Sequence, residues 1–237
     1  MITNRTIKYC ARLIGLLVTT FSLSTLAAEW NINEFKVDQE KLLNQEIQTF
    51  EKNFKQDPKQ EGETKGVLGV FLIKAPYDVV WKVISDWEAQ SEFVPGLDYF
   101  KVKHLFEGGN NNNWHSLVEG MLDIPFVSFR YTLDATFNKA DGTMIWKMLS
   151  ADDIKRYKAQ GIPVQLSDED RLKNIEGYGQ IKAFDETRTV YYYAPIIEVS
   201  IPIPGFVEDM ISKVSLSRYL HAIQEEAEKQ YKQQKKQ

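Results

Sequence analysis

Cysteine is almost missing from this 237-residue chain: the single copy, Cys10, lies in the N-terminal segment. Disulfide scaffolding, thiol nucleophiles and cysteine-based metal centres are therefore excluded for everything after it. Histidine is scarce as well. His104, His115 and His221 have no ligand spacing, so no metal is expected. The acidic run Asp168-Glu169-Asp170 lacks the glycine and ordered spacing of a calcium loop and reads as solvated charge. There is no G-x-S-x-G nucleophile elbow, no P-loop and no dinucleotide glycine fingerprint. Basic residues do not dominate either, at 29 against 33 acidic, which makes a general nucleic-acid partner a poor fit. A mean hydropathy of −0.37 excludes a polytopic membrane protein.

The chain has one long apolar run, near its start. Arg5, Lys8 and Arg12 precede an apolar stretch over residues 13–26, and Thr25-Leu26-Ala27-Ala28 supplies small residues for cleavage. Residues 1–28 therefore read as a secretory signal, which predicts a periplasmic or secreted protein. The stretch is short for a span, so removal is favoured over an uncleaved anchor. Removal takes away three of the 29 basic residues and none of the 33 acidic ones, leaving 26 against 33, a charge of −7. Residues 29–60 carry Leu43, Ile47, Phe50 and Phe54 at i, i+4, i+7 and i+11, which predicts an amphipathic helix followed by a polar linker.

The densest information lies between Gly66 and Phe100. Residues 67–73 form an apolar run suited to a buried strand. Ala75-Pro76 interrupts it, and Val79, Val80, Val83, Ile84 and Trp87 then recur at helical spacing. Phe93-Val94-Pro95-Gly96 closes the stretch with a turn. These residues, Ala75-Pro76 with Val80-Trp81, Val83-Ile84 and Asp86 followed by Phe93-Val94-Pro95-Gly96, resemble the opening signature of the polyketide cyclase/dehydrase branch of the START-like superfamily, which includes the coenzyme-Q-binding START proteins. The resemblance spans about residue 66 to 228. It implies a helix-grip fold, in which a curved antiparallel sheet wraps a long C-terminal helix around an apolar cavity. It does not imply one chemistry, because that scaffold serves carriers, cyclases and regulators.

The rest of the chain reaches the same architecture from its own pattern. Residues 99–106 and 114–121 read as strands joined by a Gly/Asn-rich tip. In the next strand Val127, Phe129, Tyr131, Leu133 and Ala135 alternate with Ser128, Arg130, Thr132 and Asp134. Met144, Trp146 and Met148 share one face of a strand, as do Ile175, Gly177, Gly179, Ile181 and Ala183 of another. Residues 187–199 complete the last hairpin. Residues 150–170 interrupt the meander with a capped helix, Ser150 at its start and Gly161 at its end, and a connection of that length predicts a lid. From about Phe206 to Gln230 an amphipathic helix follows, with Val207, Met210, Ile211, Val214, Leu220, Ile223 and Ala227 on its apolar side. The fold class is α+β: about seven antiparallel strands curled around that helix. The START-like domain spans residues 61–230, with a polar tail over 231–237.

With no catalytic constellation in view, the cavity becomes the functional candidate. Its expected walls are Phe129, Tyr131, Leu133, Met144, Trp146, Met148, Gly177, Gly179, Phe206, Met210 and Val214. Inward glycines leave room, and methionine thioethers adapt to varied apolar ligands. His115 or Arg130 could anchor a polar group if the strand parity is shifted by one. The expected function is binding or carrying a hydrophobic small molecule or lipid, with transient membrane contact compatible and no cofactor required. Two alternatives stay open: a cyclase- or dehydratase-type enzyme using His115, Arg130 or Tyr131 in the same cavity, and a periplasmic protein-interaction module.

Overall fold

A computed structural model describes residues 30–55, 63–107, 109–110, 112–124, 127–168, 170–200 and 205–236. The expected signal segment lies outside these. Eight strands form one sheet in which every pairing is antiparallel: β1 Gln48–Lys55, β2 Glu63–Ile73, β3 Leu97–Leu105, β4 Asn113–Ile124, β5 Val127–Asn138, β6 Thr143–Met148, β7 Leu172–Ala183 and β8 Thr189–Val199. Their spatial order is β1-β2-β8-β7-β6-β5-β4-β3. The helices are α1 Gln39–Leu43, α2 Tyr77–Ser85, α3 Trp87–Gln90, α4 Ala151–Ala159 and α5 Gly205–Gln234.

The inner face of the sheet holds α5 against Phe71, Ile73, Leu133, Met144, Ile175 and Tyr191, and α5 contributes Leu216, Leu220, Ile223 and Ala227. Gly69 lets the helix approach, since a Cβ there would lie 2.6 Å from Leu220 Cδ1. A carboxylate secures the far end of the helix. Glu228 Oε1 accepts from Gln45 Nε2 at 2.8 Å and from the Lys74 backbone N–H at 3.1 Å. The helix-grip expectation is met.

Two flanking segments differ from expectation. No long helix covers the described part of this region, residues 30–55; α1 ends at Leu43, Gln45 takes a positive φ of 59°, and the chain enters β1. Phe50 and Phe54, four residues apart, satisfy a helical stripe and one face of a strand equally well. The open edge of β2 decides, because it pairs with all eight β1 residues from Gln48 opposite Val70 to Lys55 opposite Glu63. This strand makes the count eight where about seven were expected. Leu43, assigned to the buried stripe, is 47% exposed. Trp30, Ile32 and Leu42 instead cover the outer face of the sheet over Leu68, Val70 and Leu72. Strand β2 is thus buried on both faces, which explains its unbroken apolar run.

The second difference is the segment 150–170. Its helix forms as read, with a Ser150/Asp153 capping box and Gly161 at φ +78°. It is not a lid. Ile154, Tyr157, Ile162 and Val164 pack on Leu117 and Leu149 on the outer face, away from α5. Residues 165–168 are stitched to the part of β5 that β6 does not reach, through Asp168 N–H to Arg130 O (3.0 Å) and Thr132 N–H to Ser167 Oγ (3.2 Å). The helix α5 also continues through Gln234, into the expected tail, with Tyr231 packed against the inner core.

Candidate functional site

Between α5 and the inner face of the sheet lies a cavity of about 340 Å³. That volume is at the lower end of the range for small-molecule sites. Strand β5 supplies Tyr131 and Leu133, β6 supplies Met144 and Trp146, and β7 supplies Ile175. Strand β8 adds Tyr193, while Leu216 and Tyr219 of α5 form the roof. One side wall is made by Trp87 and Gln90 of α3 with Val94 and Leu97, which belong to the stretch that opens the domain. Exposed Pro95, Gly96, Asp123, Ile197 and Arg218 mark the mouth.

The walls are mainly aromatic, and their rings hold one another. Trp146 stacks on Tyr193 (5.4 Å, 24°), which stacks in turn on Tyr219 (4.3 Å, 22°). Trp87 stacks on Phe100 (5.1 Å, 26°) and meets Trp146 edge-on (5.9 Å, 82°). Contacts of this kind add stiffness beyond area burial, so the rings are poor candidates for collapsing into the space between them. Gly120 on β4 gives two of these rings their place: a Cβ there would lie 2.7 Å from Phe100 and 2.8 Å from Tyr131.

Few polar groups face this space. Gln90, 1% exposed, uses its amide to donate to Ile84 O (3.1 Å) and Val83 O (3.4 Å). Burial raises the pKa of Tyr131, Tyr191 and Tyr193, and pushes Tyr219 up to about 12. These hydroxyls are neutral donors at physiological pH. Among the described residues no group of three or more His, Cys, Asp or Glu could hold a metal ion.

Of the expected walls, Tyr131, Leu133, Met144 and Trp146 line the cavity. Phe129 and Met148 belong to the same inner core without bordering the space. Gly177 and Gly179 do make room, but other side chains take it. A Cβ on Gly177 would sit 2.2 Å from Trp146 Cζ2, and one on Gly179 would sit 2.8 Å from Met144 Cε. Val214 is 40% exposed and faces away, because the buried stripe of α5 runs through Leu216, Leu220, Ile223 and Ala227. The side chains of Phe206 and Met210 lie outside the described residues.

Neither expected polar anchor reaches the cavity. Parity along β4 and β5 puts His115 and Arg130 on the outer face. His115 Nε2–H donates to Asp134 Oδ1 at 2.6 Å, and Tyr157 of α4 donates to Asp134 Oδ2 at 3.3 Å. Phe106 stacks on the imidazole at 4.1 Å. Arg130 pairs with Asp168 at 3.5 Å. These residues fasten the 150–170 segment to the sheet. Sequence reasoning missed Trp87, Gln90, Phe100, Tyr193 and Tyr219. Tyr193 was legible only as one of the run Tyr191-Tyr192-Tyr193, where alternation places the first and third inward. Trp87 looked like an ordinary packing residue of a helix.

No protein-family model and no curated protein matches the chain by sequence. Solved structures do match it in three dimensions. A START superfamily protein from Mycobacterium smegmatis is 15% identical, covers 69% of this chain and 97% of its own, and superposes with a TM-score of 0.53. A STAR-related lipid transfer protein from Xanthomonas axonopodis is 14% identical over 77% of this chain and 93% of its own, with a TM-score of 0.53. The Zhui aromatase/cyclase from Streptomyces sp. R1128 is 15% identical over 69% of this chain and 93% of its own, at a TM-score of 0.51. At such identities the likeness defines the fold, and the chain has the START-like helix-grip fold.

Proposed function

We propose that this protein binds and carries a hydrophobic small molecule in the cavity beneath α5. The observation that carries this reading is the open space itself: about 340 Å³ enclosed by Trp87, Tyr131, Leu133, Met144, Trp146, Tyr193 and Tyr219. A folded core is ordinarily packed to crystal-like density, so an apolar pocket of this size, reached through a mouth, offers wall atoms that a ligand can contact more closely than water does. Affinity would come mostly from apolar burial, at about 25 cal/mol per Å². The likeness in fold to a protein named for lipid transfer supports the reading without fixing the ligand. Export is part of the proposal and rests on residues 1–28; a membrane is then a natural source of the ligand.

The enzyme alternative loses His115 and Arg130, which sit on the outer face of the sheet; Tyr131, Tyr193 and Tyr219 are the described titratable side chains it keeps among the inner walls. Native mass spectrometry of the purified protein tests the carrier reading. A bound apolar species, released on unfolding, is the expected result; a chain that is always ligand-free and excludes neutral apolar dyes contradicts it.

A further inference from the structure

We propose that the hydroxyls of Tyr131, Tyr193 and Tyr219 form an oxygen-binding corner of the cavity, selecting a neutral apolar molecule with one carbonyl or hydroxyl oxygen over hydrocarbons and over carboxylates. This rests on the ligand-binding reading above and goes on to name the chemistry of the head group.

Three observations carry it. All three rings line the cavity, one from β5, one from β8 and one from α5. The Tyr193 and Tyr219 rings stack at 4.3 Å, and Tyr131 borders the same space. The corner also has spare hydrogen-bonding capacity. Tyr131 makes ring contacts with Phe100 and Phe129 but no hydrogen bond among the described residues. Tyr191, 0% exposed, touches the Tyr193 ring at 5.6 Å, and its hydroxyl neighbours that of Tyr219. A tyrosine hydroxyl offers one donor and accepts as well, so a ligand carbonyl or alcohol would complete the set.

Charge decides which oxygen fits. Among the described lining residues the charged ones are Asp123, Glu198 and Arg218: Asp123 and Arg218 are exposed at the mouth, and Glu198 pairs with Lys173 at 3.2 Å. Burial resists placing a negative charge among these rings, as the raised Tyr219 pKa of about 12 records. A carboxylate pushed into the corner would be desolvated with no cation to pair it. A carbonyl or hydroxyl meets donors and brings no charge.

Calorimetric titration of the purified protein at neutral pH with naphthalene, 2-naphthol, 2-acetylnaphthalene and 2-naphthoate isolates the head group on one skeleton. The neutral oxygen-bearing pair should bind at least about tenfold tighter than naphthalene or 2-naphthoate. In Tyr131→Phe/Tyr219→Phe that preference over naphthalene should fall to about threefold or less. If 2-naphthoate or naphthalene binds the unmodified protein as tightly as 2-naphthol, the oxygen corner is overturned and the cavity reading stands. If none of the four binds, both fall. The unmodified protein decides this even should the double variant not fold.

Discussion

The two faces of the sheet share strands and yet do opposite jobs, and strand β5 shows it best. Its inward residues Phe129, Tyr131, Leu133, Ala135 and Phe137 are at most 2% exposed and look like ordinary packing, but two of them wall an open cavity. Its outward residues Arg130, Thr132 and Asp134, with His115 beside them, look like chemistry and serve as fasteners. A histidine–carboxylate pair of 2.6 Å would draw attention in any search for an acid–base dyad. Here it is joined by Tyr157 and holds the 150–170 segment on the back of the sheet. Residue type alone points to the wrong face, and strand parity corrects it.

The strongest way to break this contrast is alkali. The inner face concentrates buried tyrosines, and burial pushes Tyr219 up to about 12 from an ordinary 10.0. Because the folded-state pKa lies above the unfolded one, the unfolded chain releases this proton first. Stability is intact below pH 10 and falls as pH rises toward and through about 12. Phenolate absorbance should therefore appear for the cavity tyrosines only together with loss of tertiary circular dichroism. Titration of those tyrosines in a protein that stays folded would show that the inner face is wet.

A smaller effect is expected from Gly177→Val. Its side chain would meet Trp146 Cζ2 and Ala194 O, since even a Cβ would lie 2.2 and 2.9 Å from them. The loss should be about 3 kcal/mol in urea unfolding, and the displaced indole should close part of the cavity. On the other face, Asp134→Ala leaves His115 and Tyr157 without their acceptor, with an expected loss of about 2 kcal/mol. Binding of apolar probes should be unchanged within about twofold. His115→Gln should be milder, at about 1 kcal/mol, and equally silent in binding. Loss of binding in either outer-face variant would erase the division of labour.

Much of the architecture was legible in the sequence because one period dominates each segment. Alternation along β5, β6 and β7 assigned inner and outer faces, and the stretch from Pro76 to Gly96 announced the opening helices and turn. Failure came where two periods coincide. Residues 43, 47, 50 and 54 satisfy a helical stripe, while Phe50 and Phe54 also satisfy a strand, and only the free edge of β2, a tertiary fact, decides between them. On α5 the expected apolar side joins two different stripes: Val214 and Leu216 are two residues apart, about 200° around the axis, so the face through Val214 lies opposite the buried one through Leu216. The cavity was legible as a location but not as a list of walls. Trp87 and Tyr219 come from helices whose aromatic side chains only the packing of the domain aims at the space.

The central claim is that the space beneath α5 is open and receives an apolar guest. Fluorescence titration with the neutral dye N-phenyl-1-naphthylamine, run on the unmodified protein and on Leu133→Trp/Ile175→Trp, tests it most directly, because both replaced side chains line the cavity. The account predicts saturable emission enhancement with the unmodified protein and binding at least about tenfold weaker in a double variant that remains folded. Equal enhancement in both proteins, or none in the unmodified one, would contradict it.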